Sequence, residues 1–413
     1  MILEDLPVET LDAIAVKLPR GTLRIFMRSS PLLWRVGRRH VFRRLDVVAR
    51  IGDKTPFAAA IDFLATYDDV GSFVHEMTIS GRCKTKRGKT GRVPLHVQTL
   101  RTLLRHVPKV TALSLADIEW DSTWAIDPWF PIPAWPVAYK LRTLSIERAS
   151  SSQGPEGVLA LAQLGRVESI RIKSVHWWIW PVRPEEPFLP TTKSRRLYVD
   201  GPDAYLDDTT SSISGLVTEL VLRNLCHRFK NAAGLQRTLL QLAGSLTTLS
   251  LWFESVEAHH RAYTGNIGFE AIGSLTVLCT LTVGVILPTS GLGVAEVSES
   301  SWSWVPLISG HVPSTTRSLR IIVDLCRIRR GALGGRAHIE SMDWEALVPS
   351  LRGKKLSSIT IIIRHSAYVR PRTRQINALD YLRRRLVTTD ILSIQEQSVE
   401  YEGDYRPSPW LSE

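Results

Sequence analysis

The chain has 413 residues, 44% apolar and 22% charged, with a formal net charge of +12. That length allows two or three domains or one elongated array, and the composition is that of an ordinary soluble protein. The absence of a run of about 18 uncharged apolar residues argues against a transmembrane helix, and the acidic start Met1-Ile2-Leu3-Glu4-Asp5 lacks the layout of a secretory signal.

The first elements in chain order are three short helices. Pro7 and Glu9 suit a helix beginning near Asp5 or Leu6, because proline is tolerated in a first turn and carboxylates there oppose the positive end of the helix dipole. Leu11, Ile14 and Leu18 follow at spacings of three and four and form one apolar stripe. Pro19-Arg20-Gly21 breaks that helix. A second is expected from Thr22 as N-cap, with Leu23, Phe26 and Met27 inward. Ser29-Ser30-Pro31 restarts the chain, and Leu32, Leu33, Val36, Val41 and Phe42 supply a third apolar face. Three helices in under about fifty residues make a marginal unit that needs a partner or the following domain to cover its apolar surface.

Leu6-Pro7-x-Glu9, Ile14, Leu18-Pro19, Leu23, Trp34-Arg35 and the exit Phe42-Arg43-Arg44-Leu45 carry a resemblance to the F-box proteins. The match covers about a tenth of the chain, residues 1–45, and Ser29-Ser30-Pro31 departs from the family pattern in the third helix. The resemblance implies insertion into a Skp-type adaptor, which is tied to a cullin in an SCF ubiquitin ligase. It implies Leu6 and Pro7 as the main adaptor contacts. Leu11, Ile14, Leu18 and Leu23 would add apolar contact or hold the helices together.

Residues 46–413 repeat a pattern of apolar, two others, Leu or Ile, one other, apolar. It begins at Val74, Val110, Leu141, Val167, Val217, Leu246, Leu278 and Leu356, with weaker copies at Ser194 and Thr316. Short alternation marks a strand with one buried face. Amphipathic stretches such as Val97–Leu104, Val158–Leu164 and Leu235–Leu242 have helical spacing between strands. The fold class is therefore α/β: a small helical module at 1–45, then a solenoid with a parallel sheet at 46–413. The pattern resembles leucine-rich repeats in an irregular form, for the usual asparagine at the strand exit is missing from most copies. Residues between the buried positions are expected on the concave strand face, and there Arg171, Lys173, Tyr198, Arg223, Trp252 and Arg320 form the expected target-binding set. Tryptophans in Pro-rich or Gly/Ser-rich loops, at 120–136, 177–190 and 290–313, either contact a target or plug the fold.

No constellation for catalysis appears. Gly88-Lys89-Thr90 lacks the upstream glycine and the immediate helix of a phosphate-binding loop. His259-His260 are adjacent rather than a helical turn apart, and Cys226-His227 adjacency is not diagnostic. The four cysteines, spaced 143, 53 and 47 residues apart, suit neither a zinc site nor a disulfide framework, which points to cytosol or nucleus. Residues 20–50 hold nine arginines, no lysine and one acid, Asp46, and Arg82, Lys84, Lys86, Arg87, Lys89 and Arg92 form a second basic cluster.

Two functions fit. The first is a non-catalytic substrate receptor of an SCF-type ubiquitin ligase, with a Skp-type adaptor and a cullin as partners, an unidentified target protein, no membrane and no cofactor. Its basic strand face favours an acidic or phosphorylated target. The second is a scaffold or basic solenoid that binds a polyanion such as nucleic acid, with the helices as a cap.

Overall fold

Prolines begin all three N-terminal helices. Pro7 precedes α1 (Val8–Lys17), Pro19 precedes α2 (Arg20–Arg28), and Pro31 opens α3 (Pro31–Val41). Its fixed φ suits a helix entry, where the missing N–H is no loss. The Leu33 N–H donates to the Ser30 Oγ at 3.2 Å and completes the N-cap of α3. The second helix starts at Arg20 rather than after the expected cap Thr22, because Pro19 supplies the entry. Leu11 and Ala15 of α1, Leu23, Phe26 and Met27 of α2, and Leu33, Val36 and Val41 of α3 make one internal core.

The structure is a computed structural model that describes residues 3–49, 56–84, 90–121, 139–151, 165–173, 176–177, 194–200, 217–225, 232–254, 269–287, 302–325, 339–351, 353–366, 382 and 391–399. The chain divides into two compact units, one covering 1–195 and the other beginning at Arg196. In the first unit α3 leads into β1 (Arg44–Val48), α4 (Ala58–Thr66), α5 (Asp68–Gly71) and β2 (Glu76–Ser80). A hairpin of β3 (Cys83–Lys84) and β4 (Thr90–Gly91) is followed by β5 (Val93–His96), α6 (Val97–Arg105), β6 (Ala112–Ala116) and β7 (Ile118–Asp121). The described elements of this unit end with β8 (Tyr139–Glu147), β9 (Ser150–Ser151), β10 (Gly165–Lys173) and β11 (His176–Trp177). Strands β1, β2, β6, β8 and β10 pair in parallel in that order. Their register stacks Val47, Ile79, Leu115, Ile146 and Ile172 in one buried row.

A second parallel sheet, β5-β7-β9-β11, runs alongside, and the sequence pattern did not announce it. The chain turns from one sheet to the other through a stacked corner. There the Gly81, Asp117 and Arg148 N–H groups donate to the Ala116, Glu147 and Lys173 carbonyls at 3.0, 3.0 and 2.8 Å. Asp117 (φ 51°) and Arg148 (φ 49°) are left-handed, a conformation that costs a non-glycine residue roughly 1–2 kcal/mol. Arg148 offsets that cost by donating to both Asp117 carboxylate oxygens, at 2.8 and 2.9 Å.

The second unit contains β12 (Arg196–Asp200), β13 (Glu219–Leu225), α7 (Ala232–Gln241), β14 (Thr248–Glu254) and β15 (Thr280–Ile286). It continues with α8 (Trp304–Gly310), β16 (Ser318–Asp324), α9 (Leu347–Leu351), β17 (Ser358–Ser366) and β18 (Leu392–Val399). Its seven described strands pair in parallel in chain order. Leu197, Leu220, Leu249, Leu281, Leu319 and Ile359 form one continuous buried row. Trp302 and Trp344 lie with ring centroids 4.1 Å apart, and their indole N–H groups donate to the Asp343 and Ile339 carbonyls at 2.8 and 2.7 Å. Burial of both rings is tolerable because each polar tip finds an acceptor.

All ten pattern segments appear as parallel strands, and the stretches at 97–104 and 235–242 lie on α6 and α7 or its exit. The stretch Val158–Leu164 lies outside the described residues. The expected boundary at residue 45 falls within β1, inside the first unit. Among the described residues no helix is long and apolar enough to cross a membrane.

Candidate functional site

The helical head is one candidate. Pro7 is exposed, while Leu6, Ile14 and Leu18 are half-buried and pack on the outside of the head's core. Leu11 and Leu23 are internal. Both belong to the core shared by the three helices. The head keeps Leu3, Val8, Val16, Ile25 and Trp34 exposed, five of the twelve large apolar side chains that are exposed among the described residues.

Ion pairs lock the head internally and to α5 and β1. Asp12 meets both Arg39 and His40, the latter at 2.5 Å. Burial pushes the Asp12 carboxyl up, but the His40 hydrogen bond and the Arg39 charge outweigh it and leave the pKa below the usual carboxylate range. Arg20 donates to Asp46 at 2.9 Å and to the Arg44 carbonyl at 3.3 Å. Arg38 pairs with Asp69 and lies over the Phe73 ring at 5.4 Å. Phe42 packs on Phe63 at 6.1 Å. The head is therefore fixed to the elements that follow it, not held on a tether.

The second candidate is the strand face of the second unit, opposite the buried leucine row. Alternation puts Tyr198, Val221, Ser250, Thr282 and Arg320 in one row and Trp252, Gly284, Ile322 and Ile362 in the next. Gly284 lets the Trp252 indole lie flat on the sheet: a Cβ there would stand 2.3 Å from Cε3 of the ring. The Trp252 N–H donates to the Ser250 Oγ at 2.8 Å. The Arg223 and Arg364 guanidiniums lie over the indole at 4.2 and 5.2 Å, an arrangement that attracts through the ring's negative face. Arg223 also donates to the Tyr198 hydroxyl at 3.4 Å, which donates to Asp200 at 3.1 Å.

Two of the expected target contacts lie beneath this surface. Arg223 and Trp252 are each 4% exposed, so they build the surface rather than present it. Trp252, Ile286 and Ile322 form an apolar cluster of their own on this face. Arg320 is exposed, in the row of Tyr198 but four strands away, or about 19 Å at the usual strand spacing. Arg171 and Lys173 are half-buried on β10 of the first unit. Arg364 was missed, although the alternation of β17, extended past Ile361, would have placed it on the same face. At the start of β13 burial raises the Glu219 carboxyl pKa, opposed in part by Arg196, 3.3 Å away.

Three of the loop tryptophans, Trp120, Trp302 and Trp304, pack against the fold. Trp120 and Trp302 are buried, and Trp304 stacks on Phe253 at 5.9 Å and meets Phe269 edge-on at 5.7 Å. Trp124, Trp129, Trp135, Trp178 and Trp180 lie outside the described residues, as do Gly88, Lys89, Cys226, His227, His259 and His260. Thr90 opens strand β4, not a helix. Among the described residues no group of His, Cys, Asp and Glu is placed to hold a metal ion. No protein-family model and no curated protein matches the chain.

Proposed function

We propose that the chain is a non-catalytic substrate receptor of an SCF-type ubiquitin ligase. The head docks a Skp-type adaptor, with Leu6 and Pro7 at its centre and Ile14 and Leu18 beside them. The strand face holds a target protein, with Arg320, Arg364 and Tyr198 suited to carboxylates or phosphates. The receptor raises the target's effective concentration beside the ubiquitin carrier, and the chemistry belongs to other subunits.

One observation carries this reading: a head whose internal core is complete still exposes Pro7 and five large apolar side chains. Exposed apolar groups gathered on a small helical unit favour a protein partner. The test is capture of a purified Skp-type adaptor by the full chain and by the Leu6→Ala/Pro7→Ala variant. The variant is expected to lose capture while its circular-dichroism melt stays that of a folded protein. Undiminished capture would sink the proposal. The second reading, a polyanion-binding scaffold, draws on the net charge of +12, and it requires nucleic-acid binding that falls steeply with salt and ignores the Leu6/Pro7 change.

A further inference from the structure

The basic cluster at 82–92 has no part in the receptor reading. The eleven residues from Arg82 to Arg92 hold six cations, two threonines, two glycines and one cysteine, with no acid, no aromatic and no aliphatic side chain. The chain pairs with itself here: Cys83 lies against Gly91 and Lys84 against Thr90 in the β3–β4 hairpin. The Val93 N–H donates to the Gly81 carbonyl at 3.1 Å and carries the same register past the open end of the hairpin. Arg82 therefore stands opposite Arg92. Alternation turns Gly81 and Val93, both buried, to one face and the two arginines, both exposed, to the other.

Residues directly across an antiparallel pair hold their Cβ atoms about 5 Å apart, and like charges there destabilise it. A hairpin this short is marginal before that cost is added. Neither guanidinium takes part in an ion pair or side-chain hydrogen bond among the described residues. Asp117 feels the charge of both, but Arg148 already donates to its two carboxylate oxygens at 2.8 and 2.9 Å. The base of the hairpin is also fixed in place. The Gly81 N–H donates to the Ala116 carbonyl at 3.0 Å, and a Cβ on Gly81 would stand 2.6 Å from the Asp117 carbonyl oxygen. The two arginines are thus held side by side with their repulsion, and an anion bridging the guanidiniums would remove it.

We infer that the base of the β3–β4 hairpin binds the phosphate backbone of a nucleic-acid duplex through Arg82 and Arg92. The composition selects this occupant. A protein partner needs an apolar centre to its interface, and this stretch has no side chain to supply one. A single strand is held by bases stacked on aromatic rings, and there are none. A duplex needs only cations along its backbone, and it carries one negative charge per about 1.7 Å of axis. A lipid surface offers a more diffuse field, with no apolar group here to enter it. Contact of this kind is independent of base sequence. The inference does not rest on the receptor reading: it concerns another surface, and the head keeps its adaptor contact whether or not a duplex is bound.

The test titrates a short labelled DNA duplex of arbitrary sequence with the full chain between about 50 mM and about 200 mM salt. Arg82→Gln/Arg92→Gln is expected to bind about tenfold more weakly at low salt, and the slope of log K against log salt should fall by about two. Its melting temperature should stay level or rise, because a repulsion has been removed. Arg82→Lys/Arg92→Lys keeps the charge and should keep the slope. Arg317→Gln/Lys355→Gln removes two exposed cations from the second unit and should change neither affinity nor slope. Equal losses in the two glutamine variants overturn the inference, since binding then follows net charge rather than this site. A wild-type chain that binds no duplex at low salt overturns it too. So do phosphatidylserine/phosphatidylcholine vesicles bound through Arg82 and Arg92 while duplex affinity ignores their loss. None of these outcomes touches adaptor capture, which is measured separately.

Discussion

Gly284 has no Cβ, and the Trp252 indole fills the space where one would stand. Gly284→Ala must push that ring off the sheet and is expected to cost about 1–3 kcal/mol in denaturant unfolding. Gly21 gives the contrast: it sits in a helix with open space around it, so Gly21→Ala should gain about 0.4–1 kcal/mol. Two carboxyls have opposite pH signatures. The Arg148 hydrogen bond, against burial, holds the Asp117 pKa down. Its stabilisation is therefore present above the unfolded value of about 3.9 and is lost as pH falls through the lower folded value. Burial raises the Glu219 pKa, so its contribution is favourable while protonated, below about 4.3, and is lost as pH rises through the folded value. Unfolding at about pH 7 and about pH 4 should show Glu219→Gln stabilising only at the higher pH. Asp117→Asn should destabilise at the higher pH and converge on wild type toward acid.

Helix α3 shows how much of an element is legible in a few residues. Ser30-Pro31 reads as a cap and a first turn, and the Leu33 N–H does bond to Ser30. Ser30→Ala should cost about 1 kcal/mol, seen as a lower melting temperature. The entry of α2 was read two residues late, since Thr22 and Pro19 are both valid start signals and only the bonded structure shows which is used. Strand positions were similarly legible, because alternation over five residues is a local property. The second sheet of the first unit was not: β9 and β11 are two residues long, too short to carry a period.

At the scale of the whole molecule, stability should follow position in the buried row of the second unit. Leu281 is fully buried at the centre of that row, and Leu281→Ala should cost about 2–5 kcal/mol. Ile394, half-buried on β18 at the end of the strand order, should cost about 1 kcal/mol when cut to Ala. Denaturant midpoints of the two variants test the difference. The sequence by itself determined the three helices, the ten strand positions and which strand residues turn inward, because caps and alternation act over a few neighbours. Only the tertiary structure decided that Arg223 and Trp252 are buried and that Arg364 joins them. It alone also brought Arg20, Arg38, Arg39 and Arg44 of the head to carboxylates. Those outcomes depend on groups far apart in sequence, such as Arg223 with Arg364 and Arg38 with Asp69, which pairing and packing bring within reach and which no local period encodes.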